Sequence, residues 1–452
     1  MTQALGWFGI VRLGLVQTAL GAIVVLMTSA INRVMVVELA LPAVVPGALV
    51  ALHYGVQVLR PRWGYGSDVG GRRTPWIVGG MAALAIGGVG AAFATALAAN
   101  NPMLGVAVAV VAFTLVGLGV GAAGTSLLVL LATKVDPKRR AAAATVVWVM
   151  MIAGFAVTAP TAGHFLDPFT PMRLVEVTGV VAAIAFVVAC LAVAGIEGPA
   201  VAPTASAAAA APKPPFLVAL KQVWAEPQAR RFTIFVFVSM LAYSAQELIL
   251  EPYAGIVFGM SVGTTTKLAG VQHGGVLAGM ILVGVAGSGI GGRWLGSLRF
   301  WTVGGCLASA VALAAIAGGA WVGPDFPLRP AVFALGVANG AFAVAAIGSM
   351  MGLAGSGSGS REGTRMGLWG AAQALAFGLG GFSGTVAVDV ARRIADTPAD
   401  AYALVFLAEA ALFAASAWMA MRIGTTTRDG APARAVASRS PLGRPVAEAS
   451  HG

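Results

Sequence analysis

The side chains of this sequence that could do chemistry are few, and most of them sit in apolar surroundings. Arg33, Glu38, Glu247, Glu251 and Glu409 fall within or at the ends of long apolar runs, as do His53 and His273. An ionisable group in such a run is costly and needs a partner, a cavity or an interface. Arg33 lies 21 residues past Arg12 and Glu251 lies 20 past Arg231. As helices, both runs would carry their charge about 30 Å above the same boundary, so the two residues could face each other. Glu247 and Glu251 are four residues apart and share a helix face, and Glu38 closes the first run. These groups read either as a gate or cargo-positioning cluster, able to couple protons, or as interfacial anchors reaching toward water. Glu409 sits nine residues past Asp400, in the middle of the last run. Its carboxyl must be protonated, hydrogen-bonded within the chain, or paired with another protein. His53 and His273 could hydrogen-bond within a helix bundle or ligate a metal. The sequence has no phosphate-cradling loop, no Cys/His metal spacing and no catalytic nucleophile motif, so an enzyme is not expected.

The elements that must position these groups are membrane-spanning helices. Of 452 residues, 58% are hydrophobic and 10% charged, far from the balance of a soluble domain. Apolar runs long enough to span a bilayer lie near residues 13–38, 42–59, 75–99, 103–133, 143–163 and 174–196. Six more lie near 232–256, 267–290, 300–322, 330–354, 366–390 and 401–421. The expected organisation is therefore a six-helix half over 1–196, a linker over 197–231, a second six-helix half over 232–421 and a disordered tail over 422–452. The linker opens with an Ala/Pro-rich stretch and ends in mixed apolar and basic residues that could form a short surface helix. Cys190 and Cys306 both fall in apolar runs and form no framework.

The net charge of +11 would suggest nucleic acid in a soluble protein, but here the basic residues lie in short loops between spans. If the N-terminus is cytoplasmic, only Arg33, Arg173, Lys267, Arg329, Arg392 and Arg393 of the 28 Lys and Arg fall on the opposite side. The positive-inside rule then places both termini in the cytoplasm.

The loop after the second run reads Gly64-Tyr65-Gly66-Ser67-Asp68-Val69-Gly70-Gly71-Arg72-Arg73. It resembles the signature loop of the major facilitator superfamily, in register at Gly64, Asp68, Gly71, Arg72 and Arg73, with Val69 in place of the usual basic residue. A carboxylate there could hold the arginines and a neighbouring helix end. The resemblance implies an all-α membrane protein of the major facilitator fold, twelve transmembrane helices as two six-helix halves. A degraded copy follows: His53, Gly55, Val56 and Gly64 match His273, Gly275, Val276 and Gly284, as expected of parallel repeats.

A more specific resemblance lies in Asn32-Arg33-Val34-Met35-Val36-Val37-Glu38-Leu39, in Gln246-Glu247 through Glu251-Pro252-Tyr253 to Phe258-Gly259-Met260-Ser261, and in Ser67 to Ile77. These segments are similar to the PucC-type family of photosynthetic bacteria, and most of all to the member encoded among bacteriochlorophyll synthesis genes. That resemblance implies a membrane assembly factor that binds or delivers bacteriochlorophyll, or a precursor, to light-harvesting antenna polypeptides. It implies residence in the intracytoplasmic photosynthetic membrane, with antenna polypeptides, pigment-synthesis enzymes and lipids as partners. No tightly held cofactor is expected, and bacteriochlorophyll enters as cargo. Asn32, Arg33, Glu38, Gln246, Glu247 and Glu251 then form the candidate outer cluster. His53 and His273 become candidate ligands for the magnesium of a chlorin. A proton-coupled transporter of a small solute and a pigment-free scaffold use the same fold and stay open as alternatives.

Overall fold

The computed structural model describes residues 5–57, 72–136, 139–197, 221, 224–286, 297–355 and 362–423. Gly64, Asp68 and Gly71 of the signature loop lie outside the described residues, as do most of the linker and the tail from 424.

Among the described residues eleven helices are long and apolar enough to cross a membrane. They are α1 (Trp7–Glu38), α3 (Thr74–Ala98), α4 (Pro102–Lys134), α5 (Arg140–Leu166), α6 (Pro171–Val193), α7 (Pro227–Phe258), α8 (Val262–Val285), α9 (Leu298–Val322), α10 (Leu328–Gly355), α11 (Glu362–Ala391) and α12 (Pro398–Ile423). The remaining apolar helix, α2 (Val44–Val56), has 13 residues. At 1.5 Å per residue it covers about 20 Å of the run expected over 42–59, whose last two residues lie outside the described residues. Helix α7 begins at Pro227, so the last residues expected in the linker belong to a span.

Local sequence sets the helix ends. Pro102, Pro171 and Pro227 occupy first-turn positions, where their missing N–H costs nothing. Asn101, Thr170, Ser261 and Ser297 cap α4, α6, α8 and α9 by accepting from a first-turn N–H. Gly259 ends α7 in the left-handed conformation at φ 64°. The second half of α1 widens to π-helix at Met27–Ile31 and at Val34–Glu38, on either side of Asn32 and Arg33. Such π segments are frequent at functional sites.

Two cores result. One joins α1–α6 around residues such as Leu13, Met81, Phe113 and Leu127. The other joins α7–α12 around Phe232, Tyr253, Phe342 and Phe406. Between them run two main contacts, α5 against α8 and α2 against α11. Small residues permit the closeness. A Cβ on Gly163 would strike the Gly263 carbonyl, and one on Gly270 would strike Pro160. Outward faces carry exposed Ile86, Val157, Leu191 and Val311, the surface of a multi-pass membrane protein.

The start of α1, the α4 end and the α6 end gather on one face, the terminal face. Arg12 donates to the Ala194 carbonyl there, and Leu5 N–H to the Lys134 carbonyl at 2.9 Å. The opposite end of the bundle is the far face.

Candidate functional site

Glu247 and Glu251 of the six residues expected in the outer cluster line a chamber where α1, α7 and α8 meet. Thr28 and Ser29 from the π-wound part of α1, Glu247 and Glu251 from α7, and Gln272 and His273 from α8 line an enclosed chamber of about 10 Å³. That is room for a single water molecule. Glu251 is 3% exposed, and its Oε2 has no hydrogen-bond partner. The Ser29 and Thr265 hydroxyls stand near its carboxyl, and the Arg33 charge is within electrostatic reach. An interior polar group without a partner is expensive, so the chamber favours a small polar occupant.

Arg33 does not pair with Glu247 or Glu251. Its guanidinium forms an ion pair with Glu38 one turn on, and its Nη2 donates to the Met260 carbonyl at 2.7 Å. The π-helical winding between the two residues brings Glu38 round to Arg33. The Arg33 guanidinium also lies against Gly255, one turn past Glu251. Asn32 Nδ2 donates to the Leu248 carbonyl at 2.8 Å, joining α1 to α7. Gln246 is fully buried, and neither of its amide atoms is hydrogen-bonded.

The two histidines differ. His53 has both ring nitrogens engaged, Nδ1 with the Val50 carbonyl at 3.2 Å and Nε2 with the Gln57 amide at 3.0 Å. In His273, Nδ1 donates to the Ala269 carbonyl at 2.8 Å, so the lone pair is on Nε2 of a ring that borders the chamber. The ring also meets Phe155 of the other half edge-on at 4.9 Å. Toward the terminal face the seam is apolar and aromatic: Ile152 packs on Val276 and Met280 beside Trp148 and Met151. Tyr54, Phe377 and Tyr243 form a ring contact chain from α2 through α11 to α7, with centroids 5.9 and 5.8 Å apart.

Glu409 is 3% exposed and buried within the second core, with neither carboxylate oxygen hydrogen-bonded. Among the described residues its carboxyl makes no intramolecular hydrogen bond.

Three carboxylates that sequence reasoning missed tie helix ends together. Asp167, just past α5, accepts from the Gly263 N–H at 3.0 Å and the Ser261 hydroxyl at 2.9 Å, at the start of α8. Asp389 of α11 accepts from the Ala43 and Val44 N–H groups at 3.1 and 2.8 Å, at the start of α2. Glu197, past α6, accepts from the Arg73 and Thr74 N–H groups and the Thr74 hydroxyl at 2.7–2.8 Å. Partial burial opposes the Glu197 charge, but these hydrogen bonds and the Arg73 charge outweigh it and hold the carboxyl below its ordinary range. The loop arginine Arg73 thus meets a carboxylate of its own half, supplied by Glu197.

The sequence model described as PUCC protein matches residues 30–427. The chain is 56% identical over 418 residues to the bacteriochlorophyll synthase 44.5 kDa chain of Rhodobacter capsulatus, covering 92% of this chain and 96% of that one. It is 30% identical over 420 residues to protein PucC of Cereibacter sphaeroides, covering 89% and 88%. Among solved structures it resembles a bacterial homologue of the human lysosomal transporter Spinster in an inward-facing, unoccupied conformation, with TM-score 0.64 and 16% identity over 92% of this chain and 96% of that one. It also resembles the nucleoside transporter NupG, with TM-score 0.63 and 13% identity over 92% and 100%. At such identities these structures establish the fold, that of major facilitator transporters, and nothing about cargo.

Proposed function

Because the chain belongs to the PUCC protein family, we propose that it is a non-enzymatic membrane assembly factor that binds bacteriochlorophyll, or a precursor, and hands it to antenna polypeptides. The observation that carries this reading is the 56% identity, over nearly the whole of both chains, to a protein named for bacteriochlorophyll synthesis. A synthase chain built on a transporter fold is understandable as the membrane partner of pigment-synthesis enzymes, receiving their product. The apolar and aromatic seam of Trp148, Phe155, Tyr243 and Phe377 suits a greasy macrocycle better than a sugar or nucleotide. His273 is the better placed of the two candidate ligands, because its Nδ1 is already held and its Nε2 carries the lone pair. A chamber of about 10 Å³ cannot admit a chlorin, so loading at His273 requires α5 and α8 to part from the terminal side. We place both termini in the cytoplasm, on the distribution of Lys and Arg, and the protein in the photosynthetic membrane.

The absorption spectrum of the gently purified protein from a photosynthetic host tests this. A bacteriochlorophyll band near one per chain is the expected result, and colourless protein rejects pigment carriage.

A second reading, a proton-coupled transporter of a small solute, is favoured by Glu247, Glu251 and His273 around a water-sized chamber. Solute uptake into vesicles by the colourless protein would support it, and a pigment-free scaffold would show neither band nor uptake.

A further inference from the structure

A second concavity lies away from the chamber, on the far face, where the turn between α1 and α2 meets the end of α11. It has a volume of about 580 Å³, within the range of small-molecule sites. One wall is apolar, from Leu41, Pro42 and Val390, and the other carries Asp389, Arg392 and Arg393. We propose that this groove binds the phosphate headgroup of an anionic membrane phospholipid, with Arg392 and Arg393 as the anion-binding side chains and the glycerol region against the apolar wall.

The charges support the assignment. Among the described residues the ion pair within 4.0 Å is that of Arg33 with Glu38, so neither Arg392 nor Arg393 has a carboxylate counter-ion. Asp389 lines the groove, but each of its oxygens already accepts a backbone N–H from the start of α2. Arg392 lies over the Tyr402 ring at 5.3 Å and donates Nη2 to its hydroxyl at 2.9 Å, which fixes the guanidinium while its buried Nε stays unpaired. The Arg393 side chain is exposed and makes no side-chain hydrogen bond. Two arginine side chains lining one groove match a phosphodiester, which accepts paired N–H donors. These two arginines are also a third of the six Lys and Arg on a face that membrane topology keeps poor in positive charge. The turn holds Ala40 in the left-handed region at φ 50°, a conformation costly for a side chain other than glycine, and Ala40 lines the groove. A bound headgroup would touch both halves at their seam and hold the far face closed.

The test uses the full chain, purified and stripped of lipid in detergent, with unfolding temperature as the readout. Phosphatidylglycerol should raise the midpoint well above the effect of phosphatidylcholine, and inorganic phosphate should not reproduce the rise. Arg393→Gln, at an exposed position without a structural bond, should fold normally and require about tenfold more phosphatidylglycerol for the same shift. The double change of Arg392→Gln and Arg393→Gln should abolish the preference. An equal response to the two lipids, an undiminished response in a folded Arg393→Gln variant, or a full shift with inorganic phosphate would each overturn the proposal.

Discussion

Asp167 and Asp389 do the same work in opposite directions across the seam. Asp167 reaches from the end of α5, in the first half, to the start of α8 in the second, and Asp389 reaches from the end of α11, in the second half, to the start of α2 in the first. Asp167 takes up one N–H and a serine hydroxyl, Asp389 two N–H groups, and each carboxylate meets the positive end of a helix dipole. With the bond from Arg33 to the Met260 carbonyl they tie the halves together at the far face. Farther toward the terminal face the same seam is packed by apolar and aromatic side chains.

Replacing both aspartates by alanine should therefore loosen the far face and leave the fold intact. Each lost cap is worth about 1 kcal/mol, so the pair should shift the balance between closed and open far faces by about tenfold or more. A cysteine at Ser29, in a background lacking Cys190 and Cys306, would be labelled several-fold faster from the far side by an impermeant reagent. Unchanged labelling in the folded double variant would mean that these caps do not hold the gate.

Glu197 predicts a pH dependence. Its carboxyl is held below the ordinary range in the folded protein, so its stabilisation of the α3 start is complete above the unfolded value, about pH 4, and is lost as pH falls through the lower folded value. Wild type should lose this stabilisation on acidification below about pH 4. Glu197→Gln should be less stable than wild type at neutral pH, and the difference should shrink toward low pH. Unfolding midpoints measured from neutral to acid pH would check the convergence.

The histidines should separate by spectrum. His273→Gln should lower the pigment that copurifies with the protein or shift its band, because it removes the lone pair beside the chamber. His53→Gln should change the band little, since both nitrogens of His53 are spent inside the bundle. Equal losses in the two variants would remove His273 as ligand.

Deleting the gene should lower assembled antenna while pigment synthesis and antenna transcription continue, since antenna polypeptides without ligand lose the stabilisation that binding supplies. Glu251→Gln should reproduce part of the defect if the chamber positions cargo. Normal antenna spectra at every light intensity, in a strain without another family member, would defeat the assembly reading.

A cysteine in the tail should be protected from impermeant reagents applied to the periplasmic side of intact cells, as the distribution of Lys and Arg requires. Labelling from that side would invert the topology.

Apolar runs in the sequence located the eleven described helices long enough to cross a membrane, because apolar length is a local property and a bilayer demands about 20 such residues at a time. The sequence also brought Glu247, Glu251 and His273 forward as unusual groups in apolar runs, and the structure sets all three around one chamber. Partners were a different matter. Asp167 and Gly263 are 96 residues apart, and Asp389 and Val44 are 345 apart. Each carboxylate looks like an ordinary polar residue at a span end until the fold brings a helix start beside it. The pairing of Arg33 with Glu38 depended on π-helical winding that no residue pattern announced. The difference between His53 and His273 likewise arose only when Gln57 closed on one ring while the other was left bordering a cavity. Apolar length follows from counting along one chain segment, whereas the direction of a side chain and the group it meets follow from how separate helices pack against one another.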